Sequence, residues 1–123
     1  ATSIKMDFLP SGHVRTDPII SQTCVSDHVH TFYGANIRPY PDITYEELVA
    51  APVDENTGNA QENKSLYWHP TVYRYDSETR NYSRDIIGQT SAYYIWENQE
   101  NPRAFPPGFR MIAGTRGNTE TDF

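Results

Sequence analysis

Cysteine, positive charge and long apolar runs are all scarce in this chain of 123 residues. The single cysteine, Cys24, cannot form a disulfide within the chain. It is therefore either a small apolar side chain buried in the core or the partner of a cysteine in a second chain. No apolar run approaches the length of a membrane span, so we expect no transmembrane segment. No signal peptide opens the sequence, and we interpret Ala1 as a mature N-terminus left by signal removal.

Basic residues are outnumbered, with 10 Lys and Arg against 16 Asp and Glu and a net charge of −6. This balance argues against a general nucleic-acid binder, which needs a basic surface. It also weakens the case for a polyanionic ligand, unless arginines gather locally. The candidates for such a cluster are Arg15, Arg38, Arg74 and Arg110.

The composition favours strands. The chain is long enough for one domain with a modest core, but only 37% of its residues are hydrophobic. Aromatic residues, which favour strands, reach 13%, and nine prolines and seven glycines cut the chain into short segments. We therefore predict an all-β fold, a sandwich or jelly roll of short strands.

Local patterns predict several strands and one short helix. Strands are expected at residues 4–8, 27–32 and 91–97. Thr44 and Glu47 fit a capping box, which predicts the helix near residues 44–49. The clearest strand is residues 65–75, where period-two alternation separates two faces. One face carries Tyr67, His69 and Tyr73, and the other, which we expect to face inward, carries Leu66, Trp68 and Val72.

All four histidines lie in motifs rich in polar and aromatic residues. His28 and His30 are two residues apart, so on a strand both rings point to one side. Neutral imidazole is a common metal ligand. With His13 or His69 as a third ligand, these two histidines form a candidate site for a divalent metal.

The same motifs also hold the groups for acid–base chemistry without a metal. A histidine can act as general base, a tyrosine as proton donor, and an arginine can stabilise negative charge. This set suits β-elimination from a uronic acid polysaccharide, whereas a facing pair of aspartates would suit a glycosidase. A network that only specifies the fold is the alternative. The candidate catalytic residues are His13, Arg15, Asp17, Asp27, His28, His30, Tyr67 and His69.

Two further kinds of residue point to a carbohydrate context. Flat aromatic rings with polar tips stack on sugars, and Tyr73, Tyr94 and Trp96 are the candidates. Asn63-Lys64-Ser65 and Asn81-Tyr82-Ser83 are glycosylation acceptors in polar, loop-like sequence. Together they favour a secreted, extracellular glycoprotein modified at Asn63 or Asn81.

Four ordered motifs, at residues 11–19, 26–34, 63–70 and 104–113, resemble the extracellular domain-of-unknown-function family DUF1996. That family occurs in fungi, diatoms, other algae and some bacteria, sometimes beside WSC-type carbohydrate-binding modules. The resemblance runs from about His13 to Ala113 and includes the segment with the capping box. It implies secretion and a carbohydrate context, and it supplies no established reaction.

Members of that family continue beyond the equivalent of Ala113 into a second half that contains cysteine. The resemblance therefore implies that residues 1–113 are the N-terminal half of a single β domain. Residues 114–123 would be a polar tail or a linker to the other half. We expect that half, or neighbouring copies of the chain, to be a partner, and to hold a partner for Cys24.

We expect a secreted carbohydrate-active protein that cleaves a polysaccharide, by lyase or hydrolase chemistry, at a His/Arg/Asp/Tyr site. One alternative is a non-catalytic extracellular matrix, lectin-like or fibre-forming protein. Another is a histidine-rich protein that binds a divalent metal. The sequence leaves open whether the protein is an enzyme. The expected partners are a carbohydrate and further polypeptide, without nucleic acid.

Overall fold

Strands dominate the computed structural model, which describes residues 2–97 and 101–114. Within these ranges, seven strands pair in antiparallel fashion and form three small sheets, in the orders β1-β7, β2-β3-β4 and β5-β6. The all-β prediction is confirmed. The strands are β1 Thr2–Phe8, β2 Pro10–Val14, β3 His30–Gly34, β4 Leu66–Pro70, β5 Tyr73–Asp76, β6 Asn81–Arg84 and β7 Thr90–Trp96.

The central sheet is built around β3, whose five residues are all buried. A strand covered on both faces is apolar or hydrogen-bonded throughout, which explains the absence of alternation in His-Thr-Phe-Tyr-Gly. Thr31 lies opposite His13 of β2 and opposite His69 of β4. His30 lies opposite Val14 and Pro70. This register determines which side chains share a face.

The predicted strand over residues 65–75 is two strands of different sheets. β4 ends at Pro70, and the next two residues form hydrogen bonds in different directions. The Thr71 amide donates to the Val29 carbonyl, whereas the Val72 carbonyl accepts from the Asp85 amide. β5 then pairs with β6. The alternation continues in phase across this break, so the sequence pattern did not reveal it.

This break makes part of the predicted inward face wrong. Val72 has 52% of its surface exposed, because it lies at the base of the β5–β6 hairpin and outside the central sheet. Trp68 is half-buried, and its ring stacks on Phe32 with centroids 5.8 Å apart. The inward prediction therefore fails for Val72, and Trp68 packs as the alternation indicated.

The capping box predicted for the helix is present. Thr44 Oγ1 accepts a hydrogen bond from the Glu47 amide at 3.2 Å, and the Glu47 carboxylate accepts from the Thr44 amide at 2.8 Å. The helix, α1, spans Tyr45–Ala50, and Pro52 follows its C-cap. No helix within residues 2–97 and 101–114 has both the length and the apolar character needed to cross a membrane.

The apolar core is small. Its buried members are Phe8, Phe32, Tyr33, Ala35, Ile43 and Ala51. Cys24 is exposed, so its interpretation as a buried apolar residue is wrong; it lies in the polar turn region between β2 and β3. Phe105, Phe109 and Met111 are also exposed, although the Arg110 guanidinium ties their segment to the Pro18 and Ile43 carbonyls.

Gly34, the last residue of β3, is the position where this fold most needs a glycine. Its φ is 103°, and a Cβ there would collide with the Ser65 carbonyl oxygen. We expect Gly34→Ala to lower the free energy of unfolding by about 3 kcal/mol or more, through backbone strain and displacement of β4. Urea unfolding followed by circular dichroism measures this.

Gly12→Ala is the matched control, because a Cβ at Gly12 meets no atom within 4 Å. We expect it to change the free energy of unfolding by less than about 1 kcal/mol. Equal losses in the two variants would contradict the role assigned to Gly34.

Candidate functional site

The four histidines lie in two pairs on opposite faces of the central sheet. Neighbouring residues of a strand point to opposite sides, so His30 and Thr31 face apart. His13 and His69 both lie opposite Thr31 and share its face. The His28 ring lies against the His30 ring, with centroids 4.4 Å apart. The structure therefore does not bring all four histidines into one site.

On the first face, which we call the His13–His69 face, His13 begins a chain of hydroxyl groups. Its Nδ1 lies 3.0 Å from Thr31 Oγ1, which lies 2.8 Å from Thr71 Oγ1. A hydroxyl both donates and accepts, so this chain supports either neutral tautomer of His13. In one tautomer Nδ1 donates to Thr31, and Nε2 then carries the free lone pair of a base.

His69 is held in a single tautomer by two partners. Its Nδ1–H donates to the Pro70 carbonyl at 2.7 Å, so its Nε2 accepts from the Tyr33 hydroxyl at 2.8 Å. Tyr33 has only 1% of its surface exposed. Sequence patterns did not identify Tyr33 as a site residue. Its membership of the site follows from the β3–β4 register, which places it within reach of His69.

Arg84, at the end of β6, is the second residue that the sequence missed. The pKa of His13 is lowered by burial first, then by the positive charge of Arg84 and by the electrostatic interaction of His13 with the His69 ring. Arg84 therefore lies close to His13, and it forms no ion pair within the part of the chain that the structure describes. A cation without a carboxylate beside an imidazole with a lowered pKa is a ready site for an anion.

The four arginines considered as an anion cluster each contact a different part of the protein. Arg15 Nε donates to the Ser26 carbonyl at 2.9 Å, Arg74 pairs with Asp85 at 3.1 Å, Arg110 binds two backbone carbonyls, and Arg38 lies over the ring of Tyr40. Each of these contacts stabilises local structure.

Asp17 also has a structural contact. It is buried, and its Oδ1 accepts from the amides of Ile19 and Ile20, both at 2.9 Å. An aspartate that bonds to amides two and three residues ahead fixes a turn. Asp17 and Arg15 thus lie in the loop that follows β2, where the Asp17 carboxylate also acts electrostatically on His30.

The second face carries His28 and His30. His30 is 3% exposed, and its Nδ1–H donates to the Thr16 carbonyl at 2.7 Å. Burial lowers the pKa of His30, and the hydrogen bond to Thr16 only partly opposes this shift. His28 Nδ1 lies 2.8 Å from Asp27 Oδ1. Both rings are therefore oriented by partners at Nδ1.

The predicted three-histidine metal site does not assemble. His13 and His69, the two proposed third ligands, lie on the opposite face from His28 and His30 because both pair with Thr31. The described residues contain no group of three His, Cys, Asp or Glu side chains that could hold a metal ion. The spacing of His28 and His30 correctly indicated that their rings lie together. The position of a third ligand depended on the β2–β3 register, which the sequence does not show.

Of the remaining sequence candidates, Tyr67 lies two residues before His69 on β4 and shares its face, whereas Tyr73, Tyr94 and Trp96 belong to other sheets. The Tyr67 hydroxyl accepts from Asn63 Nδ2 at 3.0 Å and bonds to the Tyr94 hydroxyl. Burial and then this bond raise the pKa of Tyr94. Trp96 is half-buried on β7, and Tyr73 is exposed on β5. Tyr67 and Tyr94 therefore serve mainly to join β4 to β7.

Two depressions of the described surface contain no histidine. One is lined by Leu66, Tyr67, Trp68 and Met111, and the other lies beside Phe8 and Gly58. Both depressions are shallow. Among their polar side chains, Tyr67, Asp7 and Asn59 are already hydrogen-bonded within the protein. We therefore place the candidate site on the His13–His69 face, where two half-buried imidazoles lie beside hydroxyl groups.

The fold and site define an antiparallel all-β protein with separate histidine pairs on the two faces of its central sheet. The family model described as Domain of unknown function (DUF1996) matches residues 17–123, and the chain belongs to this family. The matched residues include His28, His30, His69 and Arg84, whereas His13 precedes them. No curated protein and no solved structure gives a significant match to the chain.

The lowered pKa of His30 predicts how stability varies with pH. The unfolded chain protonates His30 near the ordinary value of about 6.5, whereas the folded chain does so only at lower pH. The contribution of neutral His30 is thus complete above pH 6.5 or so and is lost as pH falls through the folded pKa. We expect the urea concentration at the unfolding midpoint to decrease when the pH is lowered from about 7.5 to about 5.5.

His30→Gln, which cannot titrate, should show a smaller fall over the same interval. Proton NMR of the histidine rings should also give a midpoint for His30 below the ordinary value. A folded protein that gains stability on acidification through this interval would contradict the burial argument.

Proposed function

We propose that this protein is a secreted carbohydrate-active protein that cleaves a uronate-containing polysaccharide by β-elimination on the His13–His69 face. The observation that carries the proposal is the junction where Thr71 bonds to Thr31 and Thr31 bonds to His13. It holds the base of the hairpin against His13, and that hairpin carries Arg84, a cation with no ion-pair partner among the described residues. Elimination next to a carboxylate needs a neutral base and a positive charge that neutralises the acid. His13 and Arg84 supply those two groups.

The reaction assigns a role to each side chain. Arg84 binds the uronate carboxylate, which makes the proton on the adjacent carbon more acidic. His13 Nε2 removes that proton, the carbon–carbon double bond forms, and the bond to the leaving glycosidic oxygen breaks. Tyr73 lies opposite Arg84 in the hairpin and is the candidate that protonates the leaving oxygen. Solvent then takes the proton from His13 and restores that of Tyr73.

A lyase fits the geometry better than a hydrolase does. A glycosidase needs two carboxyl groups on either side of the scissile bond. Asp17 is buried and fixes a turn, and Asp27 is hydrogen-bonded to His28 on the second face. Neither carboxylate lies with His13, so the chemistry available on the His13–His69 face is proton abstraction with charge neutralisation.

Substitution of His13 and Arg84 tests this function. We expect His13→Gln and Arg84→Gln each to lower the rate of polysaccharide cleavage by about 100-fold or more, the usual contribution of a general base or charge stabiliser. The measurement is ultraviolet absorbance of unsaturated products over a panel of acidic and neutral polysaccharides.

Arg74→Gln is the matched control, because Arg74 lies on the other side of the same hairpin and is already paired with Asp85. It should retain wild-type activity. Binding without any product from the wild-type protein would overturn the lyase proposal and favour the non-catalytic, lectin-like alternative.

Secretion would expose both acceptor sites to glycosylation, and the two sites differ in their surroundings. The Asn63 side chain is half-buried, and its Nδ2 donates to Tyr67 and to Met6 Sδ, so a glycan on this nitrogen would remove one of the two donor hydrogens and crowd a half-buried site. Asn81 is exposed at the start of β6. We expect glycan at Asn81 and bare Asn63 in secreted material, read by glycopeptide mass spectrometry. A glycan found at Asn63 alone would contradict this assignment.

We also propose that further polypeptide covers the exposed apolar side chains near Phe105 and Phe109. Their rings stack with centroids 4.3 Å apart, yet 54% and 46% of their surfaces are exposed. Met111, two residues on, is 70% exposed. The second half of the domain, or a neighbouring copy of this chain, is the partner proposed for this patch.

A further inference from the structure

We propose that one face of the β5–β6 hairpin is a binding platform for an acidic glycan chain. This face, the tyrosine platform, consists of Tyr73, Tyr75, Tyr82 and Arg84. The inference rests on the proposed function, since it assigns the surface along which the polysaccharide reaches His13. Of these four residues, the sequence analysis named only Tyr73 as a candidate for sugar binding.

The hairpin register places the four side chains together. Tyr73 lies opposite Arg84, and Tyr75 lies opposite Tyr82. Opposed residues of an antiparallel pair share a face, and so do residues two apart on one strand. The remaining residues of the two strands alternate to the other face, which carries Arg74, Asp76, Asn81 and Ser83.

The rings of the platform are open to solvent. The exposed fractions are 46% for Tyr73, 52% for Tyr75 and 71% for Tyr82. The Tyr75 and Tyr82 centroids are 4.8 Å apart with a tilt of 40°, so together they present a broad aromatic surface. Rings of this kind stack on sugar faces while their hydroxyl groups bond to sugar hydroxyls.

The charge of the platform indicates an acidic ligand. Arg84 is its one charged strand residue, and neither strand contributes a carboxylate to this face. The carboxylate of Asp85 pairs with Arg74, on the opposite face. In a chain with a net charge of −6, this surface offers three open rings and a cation that forms no ion pair within residues 2–97 and 101–114, so it is complementary to a uronate chain and not to a basic partner.

The platform is joined to the catalytic groups at one end. Thr71, just before β5, bonds to Thr31 at 2.8 Å, and Thr31 bonds to His13. Arg84 then ends the platform near His13. The row of Tyr75 and Tyr82 lies two strand residues, or ~7 Å, from the row of Tyr73 and Arg84. A glycan stacked on the rings therefore runs towards the proposed base.

A purely structural role for the rings predicts a different outcome. Cross-strand aromatic pairs stabilise hairpins, and a two-stranded hairpin has little stability of its own. Tyr75→Val and Tyr82→Val separate the two roles, because valine keeps the preference for a strand and removes the ring. The platform predicts weaker glycan binding, whereas a structural role predicts altered unfolding with unchanged binding.

The test is calorimetric titration of the full chain, in a His13→Gln background that prevents turnover, with oligogalacturonate, oligomannuronate and neutral cello-oligosaccharide. We expect an acidic oligosaccharide to bind, the neutral one to bind much more weakly, and Tyr82→Val or Arg84→Gln to weaken binding roughly tenfold. Arg74→Gln and Asn81→Gln, on the opposite face, are the controls and should bind as the parent does.

Unchanged binding in folded Tyr75→Val and Tyr82→Val would overturn the platform, and so would equal affinity for acidic and neutral chains. If those variants unfold, the question is decided by NMR saturation transfer from tyrosine ring protons to the glycan, measured in the His13→Gln chain without further substitution. Absence of this transfer counts against the platform. Ring-dependent binding without cleavage by wild type would overturn only the lyase reaction. Cleavage that is indifferent to both tyrosines would overturn only the platform.

Discussion

The pairing of β3 with a strand on each side is the constraint on which the rest of this structure depends. All five residues of β3 are buried, so each must find a neighbour in β2, in β4 or in the core. Gly34 closes the strand in a conformation that other residues rarely adopt, and Thr57 bonds to its amide and carbonyl. These contacts oppose a slip of one residue, which would exchange the two faces.

That register separates two chemically different environments. On one face His13, Thr31 and His69 lie in a row across three strands, and Tyr33 reaches His69 from within the sheet. On the other, His30 is enclosed and packs edge-on against Phe32 at 6.4 Å. Burial keeps His30 neutral at physiological pH, which suits a structural group, whereas His13 is neutral and remains partly accessible.

The hairpin adds what the central sheet lacks. The sheet supplies imidazole and hydroxyl groups, but the arginines near its loops are already bound to carbonyls. Arg84 comes from β6 and acts electrostatically on His13, and the Thr31–Thr71 bond holds the base of its hairpin against β3. The proposed acid–base chemistry and the proposed glycan platform therefore depend on the same junction between two sheets.

Local patterns in the sequence determined the strand-rich class, the capped helix and the strands β1 and β7. Those features depend on neighbours a few residues apart, such as Thr44 and Glu47, whose hydrogen bonds form within one turn. The pairing of His28 with His30 was also local, since two residues of spacing place side chains on one side. The family resemblance is likewise a property of ordered motifs along the chain.

Tertiary structure alone decided which of these groups meet. The distance along the chain from His13 to Arg84 carries no information about their proximity, and a shift of one residue in β2 would have placed His13 beside His30. The break after Pro70 was equally hidden, because two strands in different sheets kept one alternating pattern. Side-chain periodicity fixes a face of each strand, but only hydrogen bonding between strands fixes which faces join.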